Sequence, residues 1–484
     1  MTLDGRTRWL ALIVLCLGTL MIVLDTTIVN VALPSIRADL HFSQTSLAWV
    51  VNAYMLTFGG FLLLGGRLGD LFGHRRLFLS GILLFTLASL ACGLAQAQAF
   101  LVTARAVQGV GGAIASAVSL SLMMSMFTEP AERAKAMGIF GFVASGGGSV
   151  GVLVGGVLTS SLDWHWIFLV NLPIGAAVVA LSLRLLPGRR AQRVTARLDV
   201  AGAVTVTAAL MLAVYAIVNG NEAGWTSVST MERLAVAAAL LGLFIGIESR
   251  VSSPLMPLAL LRLRNLATAN VVGILWAAAM FGWFFVSALY LQLVLGYTPL
   301  QVGLAFLPAN LIIGALSIGV SAKLVMRLGI KLPLATGLLL AAVGLLLFAR
   351  APVGGTFVVD VLPSMLLLGI GAGIAFNPVL LAAMSDVAPE ESGLASGVVN
   401  TAFMMGGALG LAVLASLAAL RTSSLHVLAQ SPLAGLVGGY HLAFLIAAMF
   451  AALAAAIGSA FLRVDGRQVA EDANDMVDEA ARAA

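Results

Sequence analysis

Asp25 is the residue of this protein best placed to do chemistry. It lies inside an apolar run from Trp9 to about Leu33, within Leu24-Asp25-Thr26-Thr27-Ile28-Val29-Asn30-Val31-Ala32-Leu33-Pro34. A carboxylate in a bilayer is expensive, so such residues face a cavity or a partner and handle protons or ions. A second charged residue, Arg105, sits inside a later apolar run, followed by Gln108, Gly109 and Gly111. Asp25 lies roughly eight residues from the outer end of its run and Arg105 about five from its own, so at ~1.5 Å per residue their depths differ by only about 5 Å. A direct ion pair and a shared water cavity are both allowed, as is an Arg105 that snorkels to the interface. Two influences oppose each other at Asp25: burial favours a neutral carboxyl and a nearby guanidinium favours a carboxylate. Such a group can exchange a proton for a cationic substrate when access switches sides. A structural hydrogen bond is the plainer reading of the same residue.

The surrounding sequence sets these residues in lipid. It is 61% hydrophobic and 10% charged over 484 residues, whereas soluble proteins carry about a quarter charged residues. Apolar runs of about 20 residues, enough to cross a ~30 Å hydrocarbon core, start near Trp9, Leu47, Leu77, Phe100, Ala134, Trp166, Asp199, Leu234, Leu266, Val302, Leu332, Val358, Leu394 and Tyr440. Fourteen transmembrane helices are therefore expected. The fold class is an all-α polytopic membrane protein, because backbone polar groups in lipid must be satisfied within each segment. Of 26 Lys and Arg, only Arg37, Arg233, Arg350 and Arg421 fall at the far side of these runs. The positive-inside rule puts both termini in the cytoplasm. The rule also accounts for the net charge of +5, so no nucleic-acid partner is expected. Cys16 and Cys92 fall in apolar runs and read as small buried residues without a disulfide. The first run is long and carries Asp25, which argues against a cleaved signal peptide.

The runs divide as six, two and six. The expected domains are a six-helix bundle at 1–187, a cytoplasmic linker at 188–198, two extra helices at 199–250, a junction at 251–265, a second six-helix bundle at 266–463 and a cytoplasmic acidic tail at 464–484. The segment Gly66-Arg67-Leu68-Gly69-Asp70-Leu71-Phe72-Gly73-His74-Arg75-Arg76 is echoed by Ala322-Lys323-Leu324-Val325-Met326-Arg327-Leu328-Gly329-Ile330-Lys331. The echo suggests two parallel halves, with a central site between them. The extra pair is expected to pack at the periphery.

With these motifs in place, the sequence resembles the fourteen-span drug:proton antiporters of the major facilitator superfamily. The likeness is carried by Leu24 to Pro34, by Asp163-Trp164-His165-Trp166-Ile167-Phe168-Leu169-Val170-Asn171-Leu172-Pro173-Ile174-Gly175, by Tyr290 to Gln301 and by Gly393 to Thr401. It implies a proton-coupling pair at Asp25 and Arg105. It implies a latch of one access state at Gly66, Asp70, Gly73, Arg75 and Arg76, where a topology-setting basic loop is the alternative. It also implies an antiporter-motif helix at Gly147, Gly151, Gly155 and Gly156, where small residues permit tight packing. Val152 stands where that motif usually has Pro.

Enzyme signatures fail on context. Gly147-Gly148-Ser149-Val150-Gly151 matches a hydrolase pattern that requires a strand–turn–helix setting, and there is no phosphate-binding Lys loop. The five His are scattered, so no metal is expected. The candidate substrate-binding residues are Asn30, Asn52, Tyr54, Gln108, Trp276, Phe281, Tyr290, Gln292, Asn310, Asn377, Asn400 and Phe403. Aromatics with few polar groups suit amphipathic ligands. The sequence thus reads as a monomeric secondary transporter of a bacterial inner membrane, without cofactor and driven by the proton motive force. It would export small lipophilic compounds by alternating access. Uptake of a nutrient, lipid flipping and a polytopic membrane enzyme are the alternatives.

Overall fold

The computed structural model describes residues 5–127, 129–186, 199–251, 254–255, 258–387, 391–426 and 431–463. The expected linker at 188–198 and the tail at 464–484 lie outside the described residues, as does the side chain of Asp70.

All regular secondary structure among the described residues is helical. The first half comprises α1 (Gly5–Leu40), α2 (Trp49–Phe72), α3 (His74–Gly93), α4 (Gln98–Met126), α5 (Pro130–Ser161), a single turn α6 (Trp166–Leu169) and α7 (Asn171–Leu185). The extra pair is α8 (Val200–Ala223) and α9 (Val228–Glu248). The second half comprises α10 (Arg264–Leu289), α11 (Pro299–Ala315), α12 (Ser321–Leu328), α13 (Lys331–Phe348), α14 (Leu362–Met384), α15 (Ser392–His426) and α16 (Pro432–Phe461). Polar side chains cap several of these helices at their starts, where the first N–H groups lack intrahelical partners. Asp199 caps α8, Ser227 caps α9, Ser431 caps α16, and Thr298 with Gln301 forms a capping box on α11.

Twelve helices among the described residues are long and apolar enough to cross a membrane. Twelve of the fourteen expected runs are thus among these helices. The runs starting near Ala134 and Val302 become α5, a helix of 32 residues, and the α11–α12 segment. A π-helical turn at Leu316–Val320 divides α11 from α12.

The internal echo has a structural counterpart. Gly73 joins α2 to α3 with φ 92°, and Gly329 joins α12 to α13 with φ 74°. Both lie in the left-handed region that side chains disfavour. Further along, Gly81 lies against Gly111 where α3 meets α4, and Gly337 lies against Gly371 where α13 meets α14. Each crossing leaves no room for a Cβ between the two backbones.

The most extensive contacts between the halves run along two seams. In one, α2 lies against α15, where Gly59 faces Met404 and Met405. In the other, α5 lies against α11: Gly156 faces the backbone of Pro299 and Leu300, and Gly303 faces the Val152 carbonyl. The expectation that the extra pair is peripheral holds only for α9. Helix α8 packs on both α2 and α15. Its Thr207 fills the space over Gly60, and its Ile217 carbonyl accepts from Ser416 Oγ at 3.0 Å. The outer surface carries exposed Leu83, Leu87, Val236, Leu243, Leu339, Val343 and Met449, the apolar face that a lipid-embedded bundle presents.

Candidate functional site

Asp25 is fully buried, and so is Arg105. They pair directly, Arg105 Nη1 donating to Asp25 Oδ2 at 2.5 Å. Of the arrangements the sequence allows, this is the direct pair, and Arg105 does not snorkel to the interface. The other carboxylate oxygen accepts from Gln108 Nε2 at 2.8 Å and Asn171 Nδ2 at 3.1 Å. Gln108 sits one turn after Arg105 on α4, so both side chains reach α1 from one face. Its Oε1 accepts from Arg105 Nη1 at 2.6 Å, and its Nε2 also donates to Ser89 Oγ at 2.7 Å. Arg105 Nε donates to the Val50 carbonyl at 2.9 Å. The guanidinium lies 4.4 Å from the Tyr54 ring centroid and 5.6 Å from that of Phe168.

Among the described residues, every hydrogen-bond partner of this ion pair comes from the first half. The carboxylate therefore sits inside that bundle, shielded from the seams between halves. Removing two charges from water costs several kcal/mol each, and only mutual attraction with saturated hydrogen bonding offsets that cost. Here three donors on three side chains satisfy the carboxylate. Protonating Asp25 would cancel the charge that holds Arg105, so proton binding and the arrangement of these groups are linked.

Two participants could not be picked out from sequence. Ser89 on α3 is an ordinary small polar residue, and Asn171 lies 146 positions from Asp25. Asn171 does fall within a motif, Trp166-Ile167-Phe168-Leu169-Val170-Asn171. The helix breaks within that motif, between α6 and α7. The break starts α7 with the Asn171 side chain beside Asp25.

The predicted antiporter-motif glycines form the floor of α1. A Cβ on Gly147 would meet the ends of Leu20 and Val23, while one on Gly151 or Gly155 would strike the backbone of Leu24 or Ile28. Gly156 points the other way, to α11. The Val152 carbonyl lies against Gly303, so this residue takes part in the seam between halves without a proline.

Of the expected latch, Gly73 makes the positive-φ joint, and Arg75 Nη2 donates to the Leu183 carbonyl near the end of α7. Arg76 is exposed and a Cβ on Gly66 would meet nothing.

The predicted substrate residues do not gather into one cavity. Gln108 and Tyr54 belong to the ion-pair cluster. Asn30 donates to its own helix, at the Thr26 and Thr27 carbonyls. Tyr290 donates to the Pro352 carbonyl, and Asn377 donates to that of Ser317 within the second half. Asn400 is exposed and bonds its own helix, which removes it from any enclosed pocket in this conformation. Gln292 crosses between halves, donating to the Val31 carbonyl at 2.9 Å. Phe281 and Phe403 do come together, 5.9 Å apart, with Phe376 6.5 Å from Phe403. Asn52, Asn310 and Trp276 are buried, and the polar atoms of the Asn52 and Trp276 side groups have no hydrogen-bond partner among the described residues. An open recess of about 350 Å³ is lined by Pro34, Arg37, Ala38, His41, Phe42 and Leu293, none of them among the expected substrate contacts.

The geometry is thus a buried ion pair within one half of a repeated helical bundle, with close glycine contacts between the halves. The sequence profile of the Major Facilitator Superfamily matches residues 15–411. The protein belongs to this superfamily. As a superfamily member it is 40% identical to a puromycin resistance protein of Streptomyces alboniger, over 96% of its own length and 93% of that relative's. It is 38% identical to a cephamycin export protein of Amycolatopsis lactamdurans, over 87% of each. It is 34% identical to a tetracenomycin C resistance and export protein of Streptomyces glaucescens, over 87% of its own length and 77% of that relative's. Among solved structures, an auto-inhibited peptide transporter superposes with a TM-score of 0.67 at 16% identity, over 95% of the present sequence and 98% of the transporter's. The nucleoside transporter NupG superposes with a TM-score of 0.64 at 12% identity, over 94% and 100%. These two likenesses establish the fold. The protein is a multi-pass membrane protein whose relatives include exporters and resistance proteins for antibiotics.

Proposed function

We propose that this protein is a proton-coupled antiporter that exports lipophilic or amphipathic compounds by alternating access. The observation that carries the reading is the buried Asp25–Arg105 pair with its saturated hydrogen bonds. In this reading Asp25 holds the driving proton, while substrate occupies the space between the halves. The carboxylate's position inside the first half favours linked occupancy over direct competition at one atom. Phe281, Phe376 and Phe403 supply an aromatic surface for apolar ligands, and Asn52 and Trp276 offer unpaired polar atoms. Helix α5 and the α11–α12 segment complete fourteen spans of the drug:proton antiporter type, the former being 32 residues long. Both termini are cytoplasmic by the positive-inside rule, in a bacterial inner membrane. The protein works as a monomer, with the proton motive force in place of a cofactor.

The puromycin resistance protein among the relatives makes puromycin the first probe. Everted vesicles acidified inside should accumulate puromycin, and dissipating the pH gradient should release it. Accumulation indifferent to the gradient, with puromycin and with cephamycin and tetracenomycin alike, contradicts the proposal.

A further inference from the structure

The amide of Asn171 is positioned differently from that of Gln108, although both donate to Asp25 Oδ1. Gln108 is held at both ends. Its Oε1 accepts from Arg105 Nη1 and from Cys92 Sγ, so turning the amide over would set N–H against N–H. Asn171 is held at one end only. Its Nδ2 donates to Asp25 Oδ1 at 3.1 Å and to Ser89 Oγ at 3.4 Å, while its Oδ1 is buried without a hydrogen-bond partner among the described residues. Asn171 itself is fully buried, and an unmet acceptor there is costly.

All three contacts to the carboxylate are donations. They suit the ionised form, which only accepts. A proton from the aqueous phase that adds to Oδ1 makes an O–H that needs an acceptor, and the three groups donating to the carboxylate offer none as they stand.

We propose that Asn171 is a positioning residue that turns its amide over when Asp25 is protonated. The two orientations have nearly the same shape, so the turn needs no repacking. In the turned state Asn171 Oδ1 accepts from the new Asp25 O–H. It also accepts from the Ser89 hydroxyl, whose hydrogen can rotate towards it. One amide atom stays unpaired in either orientation, so that cost cancels. Arg105 keeps its bonds to Gln108 and to the Val50 carbonyl. Asn171 stands at the start of α7, one residue after α6.

The other charged or titratable groups facing this site are Arg105 on α4, Tyr54 on α2 and Cys92 on α3. On α5, Glu132 and Lys135 lie away from it with Arg8 and Trp9. Arg184 ends α7 and Arg264 starts α10. The single turn α6 brings none, and α11 has no charged residue.

The inference rests on Asp25 carrying the proton, and the experiment separates the two. Infrared difference spectra between high and low pH are recorded on the full-length protein in liposomes. On acidification a carboxyl C=O band is expected, absent in Asp25→Asn. An asparagine amide C=O band should move with the same pH profile, and carbon-13 asparagine labelling of the unmodified protein identifies it. In Asn171→Leu that asparagine signal should vanish, and the carboxyl band should shift to the frequency of a carboxyl that has lost its acceptor. A carboxyl band with an unmoved labelled amide overturns the switch and leaves Asp25 as the proton site. Absence of the Asp25 carboxyl band at all overturns both. If Asn171→Leu fails to fold, an unmoved amide in the labelled unmodified protein still overturns the switch, and Asn171→Ser assigns a moved one.

Discussion

A methyl group at Gly156 tests whether the α5–α11 seam is one of two arrangements. In this conformation the Cβ of Gly156→Ala would lie 2.7 Å from the Pro299 carbonyl oxygen and 3.0 Å from Leu300 Cα. Both neighbours are backbone atoms, so neither can swing aside by a change of rotamer. Ordinary contact begins near 3.4 Å, so the helices must separate by about 0.7 Å. Overpacking of this kind costs about 1–3 kcal/mol. The helix-propensity gain of Ala over Gly, about 1 kcal/mol, applies in either arrangement and cancels from the equilibrium between them. A penalty of about 1–3 kcal/mol on one arrangement shifts the ratio of the two by about 5–150-fold. Spin labels at exposed Leu162 and Gln301 report the separation of these helix ends. The distance distribution should move to longer values in Gly156→Ala. Gly138→Ala, on the same helix with nothing within 4 Å of its Cβ, should leave it unchanged. Equal distributions in the two variants would refute the reasoning.

Other outcomes follow from the same geometry. Gly155→Ala should destabilise by about 1–3 kcal/mol because its Cβ meets the Ile28 backbone; Gly147→Ala, meeting the side chains of Leu20 and Val23 at 3.1 Å and no backbone atom, should cost less in thermal unfolding. Arg105→Leu leaves Asp25 buried and uncompensated and should cost about 3–5 kcal/mol. Adding Asp25→Asn should restore part of that loss, which a double-mutant cycle in detergent unfolding measures. Asn265 bonds Asp386 and the Arg463 backbone, tying the start of α10 to the ends of α14 and α16. Asn265→Ala should therefore lower the unfolding temperature through loss of several bonds worth about 1 kcal/mol each, with little effect on proton binding at Asp25.

Much of the site is legible in the sequence because lipid makes charge conspicuous. Asp25 and Arg105 stand out against apolar neighbours, and helical spacing brings Gln108 to the same face as Arg105. The glycines at 147, 151 and 155 announce a close helix contact by their period. What they touch is a tertiary matter, and so is the turn of Gly156 towards α11. Asn171 and Ser89 carry no charge and lie far along the sequence from Asp25, so pattern alone cannot pair them with it. The aromatic and amide residues expected to bind substrate show the opposite weakness. Polarity inside a span marks a group that needs a partner, and for Asn30, Asn377 and Asn400 that partner is a helix carbonyl. The contact of Val152 with Gly303 and the wedging of α8 between α2 and α15 likewise depend on contacts between distant segments.

The central claim is that Asp25 carries the exchanged proton, and substrate-dependent proton release from proteoliposomes tests it most directly. Puromycin added to the wild-type protein should release protons, and Asp25→Asn should bind puromycin yet release none. Release of equal size from both proteins would place the proton elsewhere and contradict the account.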